Sequence, residues 1–180
     1  MPVGKREEFE HIVKQEMPRV FNAAYGLCGN FHQACDITQE TFLRAYRSFD
    51  RFEGRSKIST YLYRIACNVW KNSLRKRKIQ NFTSYSFGLN TKEIDVPAPE
   101  NGSPEEDIRK SNNRKIIMEC INSLTPAEKA IIILRDMEGH SYEEISEILR
   151  CRAGTVKSRL ARARQKLSEK ILPFREELTK

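Results

Sequence analysis

The sequence predicts an all-α protein of two small helical domains joined by a flexible linker, with a helix-turn-helix in the C-terminal domain. Apolar residues recur at helical spacing along most of the 180-residue chain, whereas alternating, strand-like patterns are scarce. Residues 83–112 interrupt this periodicity with prolines, glycines and acidic residues. The segment Ser141–Lys170 holds two helical patterns separated by a short break at Cys151–Gly154, which is typical of a helix-turn-helix.

The composition indicates a soluble protein with a polyanionic partner. Hydrophobic residues make up 39% of the chain and charged residues 31%, with a net charge of +8. Such a charge favours nucleic acid first and an anionic membrane surface second. No apolar run approaches the roughly 20 residues of a membrane helix, and Met1–Arg6 leads into no signal-peptide core. We therefore expect a cytoplasmic protein without membrane insertion, whose five cysteines are reduced and mostly buried.

Near the N-terminus, apolar residues at helical spacing surround a proline. The pattern includes Phe9 before Pro18 and resumes at Val20, so we predict a helix that restarts with the proline in its first turn. Gly29 and Asn30 predict the end of this helix.

Three residues that follow have the side chains of metal ligands. They are Cys28, His32 and Cys35, but a structural zinc site needs a fourth ligand, and other candidates are remote in sequence. We therefore interpret them as loop and helix-start residues and predict neither a metal site nor a cofactor.

The second helix is predicted at Ile37–Phe49. Asp36, followed three residues later by Gln39, favours a capped start. The apolar spacing predicts a buried stripe formed by Phe42, Ala45, Tyr46 and Phe49.

A third helix is predicted at Thr60–Lys78, after the basic, polar loop Phe52–Ser59 and with Ser59 as its cap. Aromatic, amide and cationic groups that can stack on bases and bind phosphates share one exposed stripe: Tyr61, Arg64, Asn68, Lys71 and Arg75. The alternative is that its aromatic residues only pack against neighbouring helices. We favour packing for Trp70, while both interpretations stay open for Tyr61.

Composition divides the chain into 1–82, 83–112 and 113–180. The middle segment carries three basic and six acidic residues, which gives a net charge of −3, whereas both flanking segments are basic. We interpret it as an acidic, flexible linker between two basic domains.

The C-terminal domain contains two strong helix starts. Thr125, Pro126 and Glu128 combine an N-cap, a proline in the first turn and a capping-box glutamate, and Gly139 predicts the end of that helix. Ser141 and Glu144 form a second capping box, which begins the helix-turn-helix.

The final long helix has two opposite faces. Val156, Leu160, Ala163 and Leu167 form an apolar face that we expect to pack against the domain. The opposite face and its flanks suit base and phosphate contacts in a major groove and comprise Lys157, Ser158, Arg159, Ala161, Arg162, Arg164 and Gln165. The alternative interpretation is a solvated basic helix. The preceding capped helix and the turn favour DNA binding.

Catalytic motifs are absent from the sequence. There is no GxxxxGK[ST], GxSxG or HExxH pattern, and the three histidines are scattered, so we predict that the protein is not an enzyme.

Two long segments resemble a known family. The runs DITQETFLRAYRSFDRF (Asp36–Phe52) and STYLYRIACNVWKNSLRKRK (Ser59–Lys78) are similar to the promoter-melting domain of bacterial RNA polymerase sigma factors. The run Leu124–Leu167 resembles their C-terminal promoter-binding domain. Two such domains joined by a short linker are similar to the extracytoplasmic-function (ECF) group. The resemblance implies binding to core RNA polymerase and promoter DNA, and control by an anti-sigma factor.

The resemblance also implies a role for individual residues. The polymerase contact would involve Asp36, Gln39, Glu40 and Arg44. Binding and melting of the −10 element would involve Arg55, Lys57, Tyr61, Arg64, Asn68, Lys71 and Arg75. The −35 element would be read as duplex by Lys157, Ser158, Arg159, Ala161, Arg162 and Arg164.

Three residues depart from the family pattern. Cys35 replaces a frequent glutamate and Tyr61 a frequent tryptophan, while Ala161 offers only a methyl group to a base. Two alternative classes are a stand-alone, dimeric helix-turn-helix regulator and an RNA-binding module.

Overall fold

The computed structural model describes the backbone of residues 3–84 and 104–179 and the side chains of residues 5–77 and 112–178. Within these ranges every regular element is helical, which confirms the predicted fold class. The elements are α1 (Val3–Cys28), α2 (Phe31–Ser48), a 3-10 turn (Phe49–Arg51), α3 (Ile58–Ser84), α4 (Pro104–Asn122), α5 (Pro126–Ile132) continued by a π-helical turn (Ile133–Met137), α6 (Tyr142–Leu149), α7 (Ala153–Ile171), a 3-10 turn (Leu172–Phe174) and α8 (Arg175–Thr179).

Helices α1, α2 and α3 pack against one another and bury the apolar faces that the sequence predicts. Val20, Ile37, Leu62 and Trp70 are all within this core, so the packing interpretation of Trp70 is confirmed. Tyr46, in contrast, was predicted to be buried and is 43% exposed.

The predicted interruption of the first helix is wrong. Pro18 lies inside a continuous α1, although it removes one backbone hydrogen bond. Apolar residues on both sides of the proline, Phe9 and Val20 among them, are buried in the same core. Tertiary packing therefore keeps the two halves of the helix in line.

Helix α2 begins earlier than predicted. Asn30 is its N-cap, because the side-chain oxygen accepts a hydrogen bond from the backbone N–H of Gln33 at 2.8 Å. Gly29, with φ of +70°, makes the turn from α1, where a left-handed backbone favours glycine. Asp36 consequently lies inside α2, and its predicted capping role is wrong.

Helix α3 is longer than predicted at both ends, with Ser59 in its first turn rather than at its cap. It extends to Ser84, and α4 begins at Pro104, so both ends of segment 83–112 are helical. The rest of this segment lies outside the described residues.

Both capping boxes in the C-terminal half are confirmed. The side chains of Thr125 and Ser141 accept hydrogen bonds from the backbone N–H groups of Glu128 and Glu144, whose carboxylates accept in return from the two caps. The turn between α6 and α7 begins at Arg150, whose φ is +54°. The predicted helix-turn-helix is therefore present.

The two halves of the chain pack against each other. A Cβ atom added at Gly26 of α1 would lie 2.7 Å from Cδ1 of Ile133, which is fully buried. Lys129 is also buried, and its Nζ donates hydrogen bonds to the Leu27 carbonyl at 3.2 Å and to Oδ1 of Asn122 at 2.6 Å. Helices α3 and α6 form a second contact between the halves.

Candidate nucleic-acid and polymerase interfaces

A cavity of about 600 Å³ opens where α2, the following loop and α3 meet. An aromatic pair forms one wall, since the rings of Phe52 and Tyr61 lie 5.0 Å apart between centroids. The Arg64 guanidinium lies 5.6 Å from the centroid of Tyr61. The Tyr61 hydroxyl is held 2.6 Å from Oγ of Ser48. These contacts orient the Tyr61 ring without burying it fully.

The cavity brings together some of the residues predicted to bind the −10 element. Arg55, Tyr61 and Arg64 line it directly. Lys57 lies on the adjoining loop, with a side chain that is 77% exposed. The remaining predicted residues continue along α3, where Asn68 and Lys71 are half-buried and Arg75 is exposed.

Three cavity residues were missed by sequence reasoning. Ser48 and Arg51 come from the end of α2 and the turn after it, and Glu147 comes from α6 in the other half of the chain. No local pattern marks them, because their placement depends on packing between elements distant in sequence.

The polar face of α7 is exposed, as predicted. Val156, Leu160 and Ala163 are buried, whereas Lys157, Ser158, Ala161 and Arg162 are exposed and Arg159 is half-buried. The Nε atom of Arg162 donates to the Ser158 carbonyl at 3.3 Å. This geometry leaves amine, hydroxyl, methyl and guanidinium groups available on one side of the helix.

Two basic residues of α7 are paired within their own domain. Arg164 donates to both carboxylate oxygens of Asp136, from Nε at 3.1 Å and from Nη2 at 2.5 Å, and this contact raises the pKa of Arg164. Lys166 Nζ lies 2.6 Å from Glu128. Hydrogen bonds from Lys166 and Thr125 lower the pKa of Glu128 to about 2. Arg164 was predicted to contact a DNA phosphate. In this structure its guanidinium is paired with the carboxylate of Asp136, so a phosphate contact would have to replace that ion pair.

The residues predicted to contact polymerase lie on α2 beside an apolar cleft. Asp36, Gln39 and Arg44 are exposed, and Glu40 accepts from Nε of Arg44 at 2.6 Å. The cleft, of about 680 Å³, lies between α1 and α2 and is lined by Phe9, Met17, Pro18, Phe21, Cys35, Thr38, Gln39, Phe42, Leu43 and Tyr46. Sequence reasoning identified only the polar edge of this surface.

A buried polar cluster joins the two halves of the chain. The Tyr63 hydroxyl of α3 donates to Oε2 of Glu138 at 2.5 Å, and burial together with this contact raises the pKa of Tyr63 far above 10. The His140 ring packs edge-on against Tyr63 at 4.4 Å between centroids. Burial lowers the pKa of His140, and the positive charge of Arg19 in α1 lowers it further. The negative charges of Glu144 and Glu138 raise the same pKa, but the effect of burial is the largest.

Helix α6 contacts the loop that borders the cavity. Nζ of Lys57 lies 2.9 Å from Oε1 of Glu144. Hydrogen bonds from Lys57 and from the Ser141 backbone N–H lower the pKa of Glu144 to about 2. Glu144 therefore stays ionised at neutral pH in contact with the predicted DNA-binding loop.

The described residues contain no group of three or more His, Cys, Asp or Glu side chains placed to hold a metal ion. Cys28 donates instead to the Asn30 carbonyl at 3.2 Å, and His32 and Cys35 are exposed. All five cysteines are free thiols, but only Cys67 and Cys120 are buried, so the prediction of mostly buried cysteines is wrong. No helix in the described ranges is long and apolar enough to cross a membrane.

Sequence profiles define the class of protein. The profile of Sigma-70 region 2 matches residues 12–79, which include all of α2 and most residues that line the cavity, and that of Sigma-70, region 4 matches residues 114–167, which include the helix-turn-helix. Two different promoter-binding regions in this order define a sigma-70-type factor. They do not favour the stand-alone dimeric regulator.

Full-length relatives define the group within that class. The ECF RNA polymerase sigma-E factor of Haemophilus influenzae is 37% identical over 148 residues, which cover 77% of this chain and 75% of that protein. The sigma-E factor of Escherichia coli K12 is 37% identical over 141 residues, covering 77% and 74%. The chain belongs to the ECF sigma factors of bacterial RNA polymerase, as the sequence resemblance predicted. It therefore directs core polymerase to promoter DNA for transcription initiation.

Solved structures support the same conclusion. The sigma factor RpoE of Bartonella quintana, crystallised with the anti-sigma factor NepR, aligns with a TM-score of 0.77 at 26% identity, covering 92% of this chain and 97% of that one. CnrH, solved with the cytosolic domain of CnrY, aligns with a TM-score of 0.65 at 21% identity over 91% and 87% of the two chains. The second likeness shows the shared fold.

Proposed function

We propose that the exposed face of α7 reads the −35 element as duplex, while the cavity and the α3 face take up the non-template strand of the −10 element. The observation that supports this division most strongly is the cavity wall of Phe52, Tyr61 and Arg64, which offers stacking and positive charge together. An unpaired base gains about 1–3 kcal/mol by stacking on an aromatic side chain. That gain offsets part of the few kcal/mol needed to extrude a base from a duplex.

The α2 surface would bind core polymerase. Asp36, Gln39 and Glu40 provide a polar edge, and the adjoining cleft exposes Leu43 and Tyr46. An apolar centre with a polar rim is the usual anatomy of a specific protein interface. We assign residues 1–82 to core binding and −10 melting, 83–112 to the linker, and 113–180 to −35 recognition.

Regulation by an anti-sigma factor fits the same proposal. The aligned structure of the sigma factor RpoE was solved in complex with the anti-sigma factor NepR. The protein would work in the cytoplasm, where core polymerase and the chromosome are present, and its activity would be to direct the polymerase rather than to catalyse a reaction.

Run-off transcription tests the proposal. Core bacterial polymerase is incubated with fragmented genomic DNA, with and without this protein. New discrete transcripts, with shared sequences at the −10 and −35 positions, are expected. No transcripts, combined with no co-elution with a competent core polymerase, would contradict the proposal.

A pair of variants then tests the cavity. Tyr61→Ala should lower open-complex formation by about 5- to 150-fold, which corresponds to the loss of about 1–3 kcal/mol of stacking. Tyr61→Phe is the matched control, because it keeps the ring and removes only the hydroxyl contact with Ser48. Equal activity of the two variants would exclude stacking by Tyr61, provided that both co-elute normally with polymerase.

A further inference from the structure

A tyrosine at the start of α6 lies next to two cations from other elements of the same half of the chain. Tyr142 is the first residue of α6 and is half-buried. The Arg135 guanidinium, from the π-helical turn, lies 4.9 Å from the centroid of its ring. Nζ of Lys157, from α7, lies 5.7 Å from the same centroid. Both distances are within the roughly 6 Å limit of a cation–π interaction, so one ring orders two long cationic side chains.

The ring orders these cations without neutralising them. In the ranges that the structure describes, no carboxylate lies within ion-pair distance of Arg135 or Lys157. Arg164 differs in this respect, because its guanidinium is paired with Asp136. Attraction to the quadrupole of an aromatic ring leaves the net charge of a cation unchanged. Arg135 and Lys157 therefore keep their full charge for an anion outside the protein.

A backbone contact fixes one edge of the Arg135 guanidinium. Its Nη1 atom donates to the His140 carbonyl at 2.7 Å, two residues before Tyr142. Its other N–H groups have no acceptor among the described residues. A guanidinium with free N–H groups can bind a phosphate through two parallel hydrogen bonds. Arg135 is therefore held in place and still able to bind a phosphate.

The two cations lie at the edge of the polar face of α7. Lys157 is an exposed member of that face, and the shared ring brings Arg135 close to it. Because both charges lie near one ring, they can contact the same phosphate or neighbouring phosphates of one DNA strand. The sequence pattern of α7 did not indicate Arg135 or Tyr142, since both precede that helix.

We propose that Tyr142 is a positioning residue for DNA binding, whose ring holds Arg135 and Lys157 ready to contact phosphates beside the −35 element. This inference rests on the function proposed above for α7. Phosphate contacts fix the register and orientation of a protein on the duplex but carry no sequence information. The cluster therefore increases affinity for DNA and orients α7, while the other side chains of the polar face select the sequence.

Removal of the ring tests the positioning role. Ordering one long side chain on binding lowers affinity by about 2- to 12-fold, and the ring reduces this loss by ordering both cations beforehand. Tyr142→Leu keeps an apolar side chain but removes the ring, so it should weaken binding of the −35 duplex by about 3- to 10-fold. Tyr142→Phe is the conservative variant, and because it retains the ring it should restore affinity to within about twofold of the unmodified protein.

Binding is measured by fluorescence anisotropy with reconstituted holoenzyme. The labelled duplex carries the −35 element of a promoter mapped by run-off transcription and ends upstream of the −10 element; a second duplex has a scrambled −35 element. Titrations at several salt concentrations count phosphate contacts, because the logarithm of the binding constant falls with the logarithm of salt concentration by about 0.9 per phosphate neutralised.

Loss of either cation should reduce this salt dependence. Arg135→Gln and Lys157→Gln should each lower the slope, by about 0.9 for one lost phosphate contact. R135Q should also weaken binding of both duplexes by the same factor, since a phosphate contact does not distinguish sequences. Lys170→Gln is the matched control, because it removes the same charge from an exposed side chain in the last turn of α7. Its slope should be unchanged.

A thermodynamic cycle separates positioning from a general effect on stability. In the R135Q/K157Q background, Y142L should cause no further loss, because no cation remains for the ring to hold. An equal loss from Y142L in both backgrounds would show that the ring only stabilises the domain, which would overturn the inference. An unchanged salt slope for R135Q would overturn it as well, and that measurement leaves Tyr142 intact, so it decides the question even if Y142L fails to fold.

The unmodified holoenzyme tests the underlying assignment. If it prefers the −35 duplex to the scrambled one while Y142L and R135Q bind as it does, positioning by Tyr142 is refuted and the −35 assignment of α7 stands. If it shows no preference for the −35 duplex, the −35 assignment is refuted, and this inference with it.

Discussion

Replacement of Gly26 with alanine tests whether α1 packs against the C-terminal half of the chain. The added Cβ would lie 2.7 Å from Cδ1 of Ile133 and 3.4 Å from its Cγ1 and Cγ2 atoms. Ile133 is fully buried, so its side chain has little room to move. The substitution should therefore be unfavourable in the docked protein.

The sign of the effect distinguishes docked from separated halves. In an open helix, glycine to alanine stabilises by about 1 kcal/mol. Overpacking of a closely packed interior costs about 1–3 kcal/mol. With a cost of about 2 kcal/mol, G26A should lower the free energy of unfolding by about 1 kcal/mol net. If Gly26 faced solvent, the same substitution would raise it.

A second substitution relieves the predicted clash. Ile133→Val deletes the Cδ1 atom and by itself should cost about 0.5–1.5 kcal/mol. In the I133V background, G26A should be neutral or stabilising, which gives a coupling energy of about 2 kcal/mol between the two sites. Only direct contact between α1 and the π-helical turn predicts this reversal.

Urea unfolding of the full chain, followed by far-UV circular dichroism, measures the four stabilities of the cycle. Gly154→Ala is the control, because Gly154 also lies in a helix and, apart from its chain neighbours and the backbone of its own helix, no atom of the described residues lies within 4 Å of the added Cβ. It should be neutral or stabilising. A stabilising G26A in the unmodified background, or additivity with I133V within about 0.3 kcal/mol, would refute the docked packing.

Three further predictions concern recognition and pH. Arg162→Ala should weaken binding of the isolated −35 duplex by about 1–3 kcal/mol if the side chain contacts a base; an equal loss on random DNA, measured by anisotropy, would show a phosphate contact instead. Glu40→Lys should weaken co-elution with core polymerase about tenfold or more, because it reverses charge beside Arg44, and normal co-elution would exclude Glu40 from the interface. Since burial lowers the pKa of His140, the unfolded state binds more protons below pH 6.5, so the melting temperature should fall from pH 7.5 to 5. His140→Phe should reduce that dependence, and an unchanged slope would contradict this origin.

The functional surfaces were predictable to different degrees. The face of α7 follows from one helical period, so Lys157 and Arg162 could be placed without any tertiary information. The exposed stripe of α3 that begins at Tyr61 was also predictable, but the half-burial of Tyr61 and its contact with Ser48 were not, because the two residues come from different helices. The apolar cleft beside Asp36 was missed, since exposure of Tyr46 depends on how far α1 covers α2.

By itself, the sequence determined the helical class, the helix-turn-helix and the starts of α5 and α6. Capping boxes and apolar periodicity act between residues within a few positions of one another, so they hold before any long-range contact forms. Tertiary structure alone decided that α1 continues through Pro18 and that Glu144 and Glu147 of α6 reach the loop and the cavity between α2 and α3. These outcomes depend on packing between residues far apart in the chain, as in the contact of Leu27 with Lys129. The spacing of residues along the sequence does not reveal the free energy of such contacts.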